Sequence, residues 1–111
     1  MSAVPTLDPV AVHAEPATTV LLDVREPGEW AAGHAPTARH LPLGELAARA
    51  GELAGAGRIV CLCRSGNRSG RATALLRRLG LDAHDMAGGM TAWAAAGLPV
   101  VDDAGRPGTV A

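Results

Sequence analysis

The chain has 111 residues, enough for one domain and too few for two, and its 48% hydrophobic and 19% charged content lies well away from the disordered regime. A formal net charge of −1 gives no general pull towards polyanions, and Trp30 and Trp93 are too few for a base-stacking platform. No run approaches the ~20 apolar residues of a membrane span, so nucleic-acid and membrane partners are set aside.

In chain order, residues 1–17 read as an N-terminal segment of the same domain, ambiguous between a helix and a short edge strand. Met1 to Pro9 lacks the basic and apolar regions of a signal peptide, which makes a cytoplasmic protein the default expectation. Val20 to Val24 is a compact apolar run of the kind buried on both faces of a parallel sheet. Pro27 and Gly28 break it, and Glu29 to Ala32 suits a short helical turn. After a loop through Gly33, Pro36 and Thr37, Arg39 to Pro42 reads as a short extended piece. Leu46, Ala50 and Leu53 share a helical face, predicting a helix over Gly44 to Leu53.

Gly55 to Gly57 ends that helix, and Arg58 to Cys63 reads as a second buried strand. Arg68 to Leu79 is the clearest helix, with Ala72, Leu75, Leu76 and Leu79 at apolar spacing and Gly80 as C-cap. Leu81 to Met86 reads as a last strand and Gly89 to Ala96 as a last helix, closed by Gly97 and Pro99. Residues 18–101 form the body of the domain, and the Gly- and Pro-rich residues 102–111 read as a flexible tail. Strands alternating with helices at this spacing imply an α/β fold with a largely parallel sheet covered by helices.

The informative segment is Cys63-Arg64-Ser65-Gly66-Asn67-Arg68-Ser69, placed where a buried strand ends and a helix begins. Ligands of open parallel sheets bind at the carboxyl ends of strands, and helix N-termini present free N–H groups. A cysteine there meets converging N–H groups and guanidinium groups, both of which favour the thiolate, and a thiolate is the nucleophile that attacks sulfane sulfur. Gly66 suits a tight turn around an anion, Arg68 and Arg64 can hold an oxyanion, and Ser65 and Ser69 offer hydroxyl donors. Cys61, between Val60 and Leu62, reads instead as a buried strand residue. A Cys61–Cys63 disulfide would need residues i and i+2 of a strand to come closer than the ~6.6–6.8 Å that the strand rise sets. The four histidines, His13, His34, His40 and His84, lack the paired spacing of a zinc site, so no metal is expected.

These residues resemble the rhodanese-like domains over Val20 to Val100. The resemblance rests on three ordered blocks. The first is Asp23-Val24-Arg25-Glu26 with Glu29-Trp30, Gly33-His34-Ala35-Pro36 and Leu41-Pro42. The second is Val60 through Ser69, and the third is Gly88-Gly89 with Trp93, Gly97, Pro99 and Val100. It implies a five-stranded, mostly parallel sheet flanked by helices on both faces, and a thiosulfate sulfurtransferase whose cysteine cycles between thiolate and persulfide. Carried over, Cys63 is the nucleophile and persulfide carrier, and the amides of Arg64 to Ser69 form its cradle. Arg68 is then the main donor-binding cation. Asp23, Arg25 and Glu26 are expected to support the site as an ion-pair and hydrogen-bond network. His34 is expected to fix a loop, and Trp30 and Trp93 to pack. The edge strand before Val20 is hard to place.

Two competing functions are weighed against this. Phosphatases of the dual-specificity type need Cys-x5-Arg to surround a tetrahedral phosphate, whereas Ser69 stands six residues after Cys63 and Arg68 five. A non-catalytic docking module usually lacks the cysteine. The expected partners are therefore a small sulfane-sulfur donor, thiosulfate or a persulfide, and a cyanide, thiol or protein-cysteine acceptor, with no metal or organic cofactor required.

Overall fold

The computed structural model describes residues 4–111, so the first three residues of the N-terminal segment lie outside the described part. Five strands run parallel in the order β1-β5-β4-β2-β3. They are β1 (Thr6–Leu7), β2 (Val20–Asp23), β3 (Arg39–His40), β4 (Ile59–Leu62) and β5 (Ala83–Met86). The helices are α1 (Pro9–His13), α2 (Pro27–Ala32), α3 (Leu43–Arg49, continued by a 3-10 turn over Ala50–Leu53), α4 (Asn67–Arg78) and α5 (Gly89–Ala95). The ambiguous N-terminal segment thus contributes both an edge strand and a helix, and Asp8 caps the latter by accepting from the Ala11 N–H at 2.9 Å.

β4 is the centre of the sheet, and every one of its residues is buried. Side chains alternate across a strand, so Ile59, Cys61 and Cys63 face one way while Val60 and Leu62 face the other. The first set joins Leu22, Val24, Leu46, Leu53, Ala72 and Leu76 in a core beneath α3 and α4. The second joins Val12, Leu21, Met86, Met90 and Trp93 beneath α1 and α5. A strand apolar on both faces is what a sheet covered on both sides requires, and this sheet is covered on both sides.

α4 departs in one respect from the expected apolar face. Leu79 is exposed, and the buried side of the helix carries Ser69 and Thr73 beside Ala72 and Leu76. The Thr73 hydroxyl donates to the Ser69 carbonyl at 2.8 Å, which satisfies it within the helix. Residues 102–111, where composition predicts a loose tail, fold back on the domain. Val101 bridges His34 and Pro107, Gly108 N–H donates to the Val100 carbonyl, and Thr109 N–H donates to that of Ala32. Gly33 makes this return possible, since a Cβ there would run into the Thr109 backbone. Short Gly- and Pro-rich segments signal turns, but the partners that hold them are remote in sequence.

The carboxyl end of β2 carries a fully buried ion pair. Arg25 donates from Nη2 to Asp23 Oδ2 at 2.7 Å and from Nε to Oδ1 at 2.9 Å, and its Nη2 also donates to the Gly33 carbonyl at 2.7 Å. Arg25 Nη1 has no partner among the described residues. The pair clamps the end of β2 to the loop after α2. Removing one partner strands a charge in the interior, so Asp23→Ala is expected to lower stability by about 3–5 kcal/mol in urea unfolding. A loss below about 1 kcal/mol would mean that water reaches the arginine.

Candidate active site

Cys63 is the first residue after β4, and the loop that follows turns at Gly66 (φ 125°) directly into α4. Only glycine takes that φ readily, and the turn it allows bends the chain back over the sulfur. Gly66 N–H donates to Cys63 Sγ at 3.1 Å, and the thiol lies 3.4 Å from the Ser69 hydroxyl. Burial pushes the thiol up, but the Ser69 hydroxyl and the N–H groups of Ser69, Gly66 and Ser65 outweigh it. The net result holds Cys63 below its ordinary value. Cys61, on the same face two residues earlier, has no such cradle. Burial drives it up to about 12, only partly opposed by the Thr73 hydroxyl.

The loop is pinned from behind by α5. Met90 N–H donates to the Cys63 carbonyl at 2.8 Å and Thr91 N–H to that of Arg64 at 3.0 Å. These are free amides of a helix N-terminus, used here to hold backbone. Gly89, at φ 59°, must be glycine because a Cβ would collide with the Cys63 carbonyl and the Arg64 backbone. In the sequence the Gly88-Gly89 pair only opens the third block of the resemblance, and nothing there aims it at the cysteine loop.

The candidate binding residues are brought together, but not all are free. Arg64, Ser65 and Asn67 are exposed around the loop, with Gly66 and Arg68 half-buried and Ser69 fully buried. Arg64 Nε donates to the Ala111 carbonyl at 2.9 Å. Arg68 makes a two-pronged ion pair with Glu29 of α2, Nη1 to Oε1 at 2.6 Å and Nη2 to Oε2 at 2.8 Å. Glu29 thereby becomes a site residue whose role the sequence does not announce, because 39 positions separate the partners. Its hydrogen bonds from Arg68 hold its carboxyl down to about 2 against desolvation, and Arg68 is raised in turn.

The supporting residues lie one layer away. Glu26 N-caps α2 in a reciprocal capping box with Glu29, whose Oε1 accepts the Glu26 N–H at 3.1 Å. His34 Nδ1 contacts the Trp30 carbonyl at 2.8 Å and its ring stacks on Trp30 at 3.6 Å, while His40 stacks on Trp30 at 4.9 Å. Trp93 is buried and donates to the Pro99 carbonyl. No three His, Cys, Asp or Glu side chains converge as a metal cluster among the described residues. No helix there is long and apolar enough to cross a membrane. A cleft of about 370 Å³ lined by Val12, His13, Leu21 and Trp93 belongs to the other core and has no cysteine in its lining.

The chain that carries this arrangement, a cradled thiol beside an arginine at the carboxyl edge of a parallel sheet, is similar to known proteins. Residues 8–96 match the family model of the rhodanese-like domain. A sulfurtransferase of Allochromatium vinosum is 38% identical over 89 residues, covering 79% of this chain and 83% of that protein. Other curated relatives are longer, and the chain spans between 32% and 59% of their length. A rhodanese-related protein of Thermoplasma volcanium superposes with a TM-score of 0.83 at 31% identity, covering 87% of this chain and 97% of the other. A thiosulfate sulfurtransferase of Pseudomonas aeruginosa gives 0.79 at 32%, covering 89% of this chain and 19% of the other.

The Glu29–Arg68 pair gives the loop a signature in pH. A carboxyl held at about 2 stabilises the fold fully above the ordinary value of 4.5 and loses that contribution as pH falls towards 2. Glu29→Gln should therefore melt roughly 3–6 °C below the parent at neutral pH. The gap should narrow as pH drops through that window. A gap that does not change with pH would assign the loss to packing.

Proposed function

The chain belongs to the rhodanese-like domain family, and on that premise we propose that it is a thiosulfate sulfurtransferase working through a persulfide on Cys63. The observation that carries the reading is the Gly66 N–H aimed at the Cys63 sulfur, backed by further amides and the Ser69 hydroxyl that lower its thiol. Kinship with a sulfurtransferase over most of both chains supports the reaction class.

Thiosulfate binds at the mouth of the loop, with its sulfonate oxygens against Arg68 and the exposed residues Arg64 and Ser65. The Cys63 thiolate attacks the outer sulfur, the S–S bond of the donor breaks, and sulfite departs with the bonding electron pair. Cys63 then carries the extra sulfur as a terminal persulfide anion, facing the same N–H groups that held the thiolate. Preorganised dipoles of this kind stabilise charge without reorganising during the reaction. An acceptor nucleophile (cyanide, a small thiol or a protein cysteine) attacks that terminal sulfur and restores the thiolate. Arg68 binds the donor while Glu29 keeps its guanidinium in place. Two free cysteines and a chemistry of persulfides suit a cytoplasmic, reducing setting.

After thiosulfate treatment the peptide bearing Cys63 should gain one sulfur atom by mass spectrometry, and Cys63→Ser should neither load nor turn over. A Cys63→Ser protein as active as the parent would end the proposal. Phosphate-ester controls should release nothing.

The donor-binding role of Arg68 is read separately. Arg68→Ala should raise the KM for thiosulfate roughly tenfold or more, the scale of a lost charge-assisted contact. Loading from an uncharged polysulfide should change far less. Equal losses with both donors would make the pair with Glu29 its whole role.

A further inference from the structure

Beneath the cysteine loop lies a buried polar cluster that the transfer chemistry leaves unused. Asp85 of β5 pairs in register with Cys61 of β4, and strand alternation places it on the α4 side of the sheet with Ala83, Cys61 and Cys63. α4 covers this side with Ser69 and Thr73, both fully buried. Asp85 is only 9% exposed, and its Oδ1 is inaccessible and has no hydrogen-bond partner among the described residues. Buried carboxylate oxygens without donors are costly and uncommon.

Ser69 of α4 and Asp85 of β5 share this buried face, and the hydroxyl holds the carboxyl down against the upward push of burial. The same hydroxyl lies 3.4 Å from Cys63 Sγ and 3.2 Å from the Gly66 carbonyl. A serine hydroxyl has one hydrogen to give and two lone pairs to receive with. Three acceptors compete for that hydrogen: the Gly66 carbonyl, the Asp85 carboxylate and, once ionised, the Cys63 thiolate. The neighbouring Thr73 hydroxyl is already engaged by the Ser69 and His84 carbonyls.

We infer that Asp85 is a positioning residue for Cys63, its protonation state deciding whether the Ser69 hydroxyl donates to the sulfur or is drawn away from it. Protonated Asp85 donates its own proton to the Ser69 oxygen, and the Ser69 hydrogen is released to the thiolate or persulfide. Ionised Asp85 takes the Ser69 hydrogen, leaving the sulfur one donor short and facing a second negative charge. The thiolate is then harder to form but, once formed, less masked.

The surroundings leave this exchange to Asp85 and Cys63. From β4, Cys61 faces the carboxyl as a neutral thiol. From β1, Thr6 stands opposite and carries no charge. On α4, Arg68 is tied to Glu29 and Arg77 to the Ala83 carbonyl. His84, next in β5, bonds Asp82. Burial pushes the Asp85 carboxyl up, with the Ser69 hydroxyl and Met86 N–H opposing, and no cation among the described residues offsets its charge. Under this inference Asp85 and Cys63 titrate as a coupled pair through the shared hydroxyl.

The inference rests on Cys63 being the reactive thiol of the proposed transfer, but its test does not need thiosulfate. Iodoacetamide is uncharged and reports thiolate whatever the sulfur donor, so failure of the donor assignment and failure of this coupling are distinguishable. Alkylation of Cys63 is followed against pH in the full chain by fragmenting the tryptic peptide over residues 59–64, which resolves it from Cys61. Asp85→Asn, nearly isosteric and permanently a donor to Ser69, should move the profile to lower pH and speed alkylation at pH 6 roughly three- to tenfold. In a Ser69→Ala background the same substitution should produce less than half that shift in log rate. A profile superposing on the parent, or an equal shift with and without Ser69, overturns the inference. The unsubstituted protein supplies a check free of folding effects. The carboxyl ¹³C resonance of Asp85 should show a second inflection at the pH where Cys63 ionises, because coupling between two sites is reciprocal. A single inflection would also overturn it.

Discussion

The Gly66 N–H reaches Cys63 Sγ at 3.1 Å because the central strand stops one residue before the cysteine and the chain turns at once into α4. Around that turn the backbone is used in both directions. Its amides converge inward on the sulfur, while its first two carbonyls are taken by the Met90 and Thr91 N–H groups at the start of α5. An anion-binding loop has to expose N–H groups without losing its shape, and here the shape is borne by a neighbouring helix. Glycine at positions 66 and 89 is the covalent condition for both contacts.

The two cysteines show how steeply chemistry changes over one strand step. Cys61 and Cys63 belong to the same face and the same apolar core. Inside the strand, the backbone amides are consumed by the neighbouring strands and Cys61 is simply desolvated, to about 12. Past the strand end, amides become available to a side chain, and the thiol of Cys63 falls below its usual value although it is 1% exposed. Burial therefore does not separate an inert cysteine from a reactive one; the supply of unpaired donors does.

Charge in this protein is organised in depth. The Asp23–Arg25 pair, fully buried, fixes the end of β2 and the loop after α2. The Glu29–Arg68 pair, half-buried, links the helix in that same region to the start of α4. Together they make the first sequence block a frame for the second: α2, capped by Glu26 and carrying Glu29, aligns the arginine that flanks the thiol. Asp85 is buried too, with no ion-pair partner among the described residues, and in the coupling inferred above it acts on the sulfur through Ser69.

Much of this is legible in the sequence. Two apolar runs without alternation, separated by helical periodicity, imply strands buried on both faces, and Val20–Asp23 and Ile59–Leu62 are those strands. A cysteine followed by a Gly-, Ser- and Arg-bearing loop at a strand-to-helix junction marks the candidate nucleophile, because local backbone geometry supplies the amides. Residue spacing decides such local matters. It could not decide contacts made by residues far apart in the chain, which depend on how helices and strands pack. The edge strand Thr6–Leu7 is too short to show a period and exists only through β5. The return of residues 102–111, the grip of Glu29 on Arg68 and the exposure of Leu79 likewise follow from tertiary neighbours. So does the place of Asp85 under the loop: in sequence it is one acid beside a histidine, and only the register with Cys61 and the covering face of α4 bring it to Ser69.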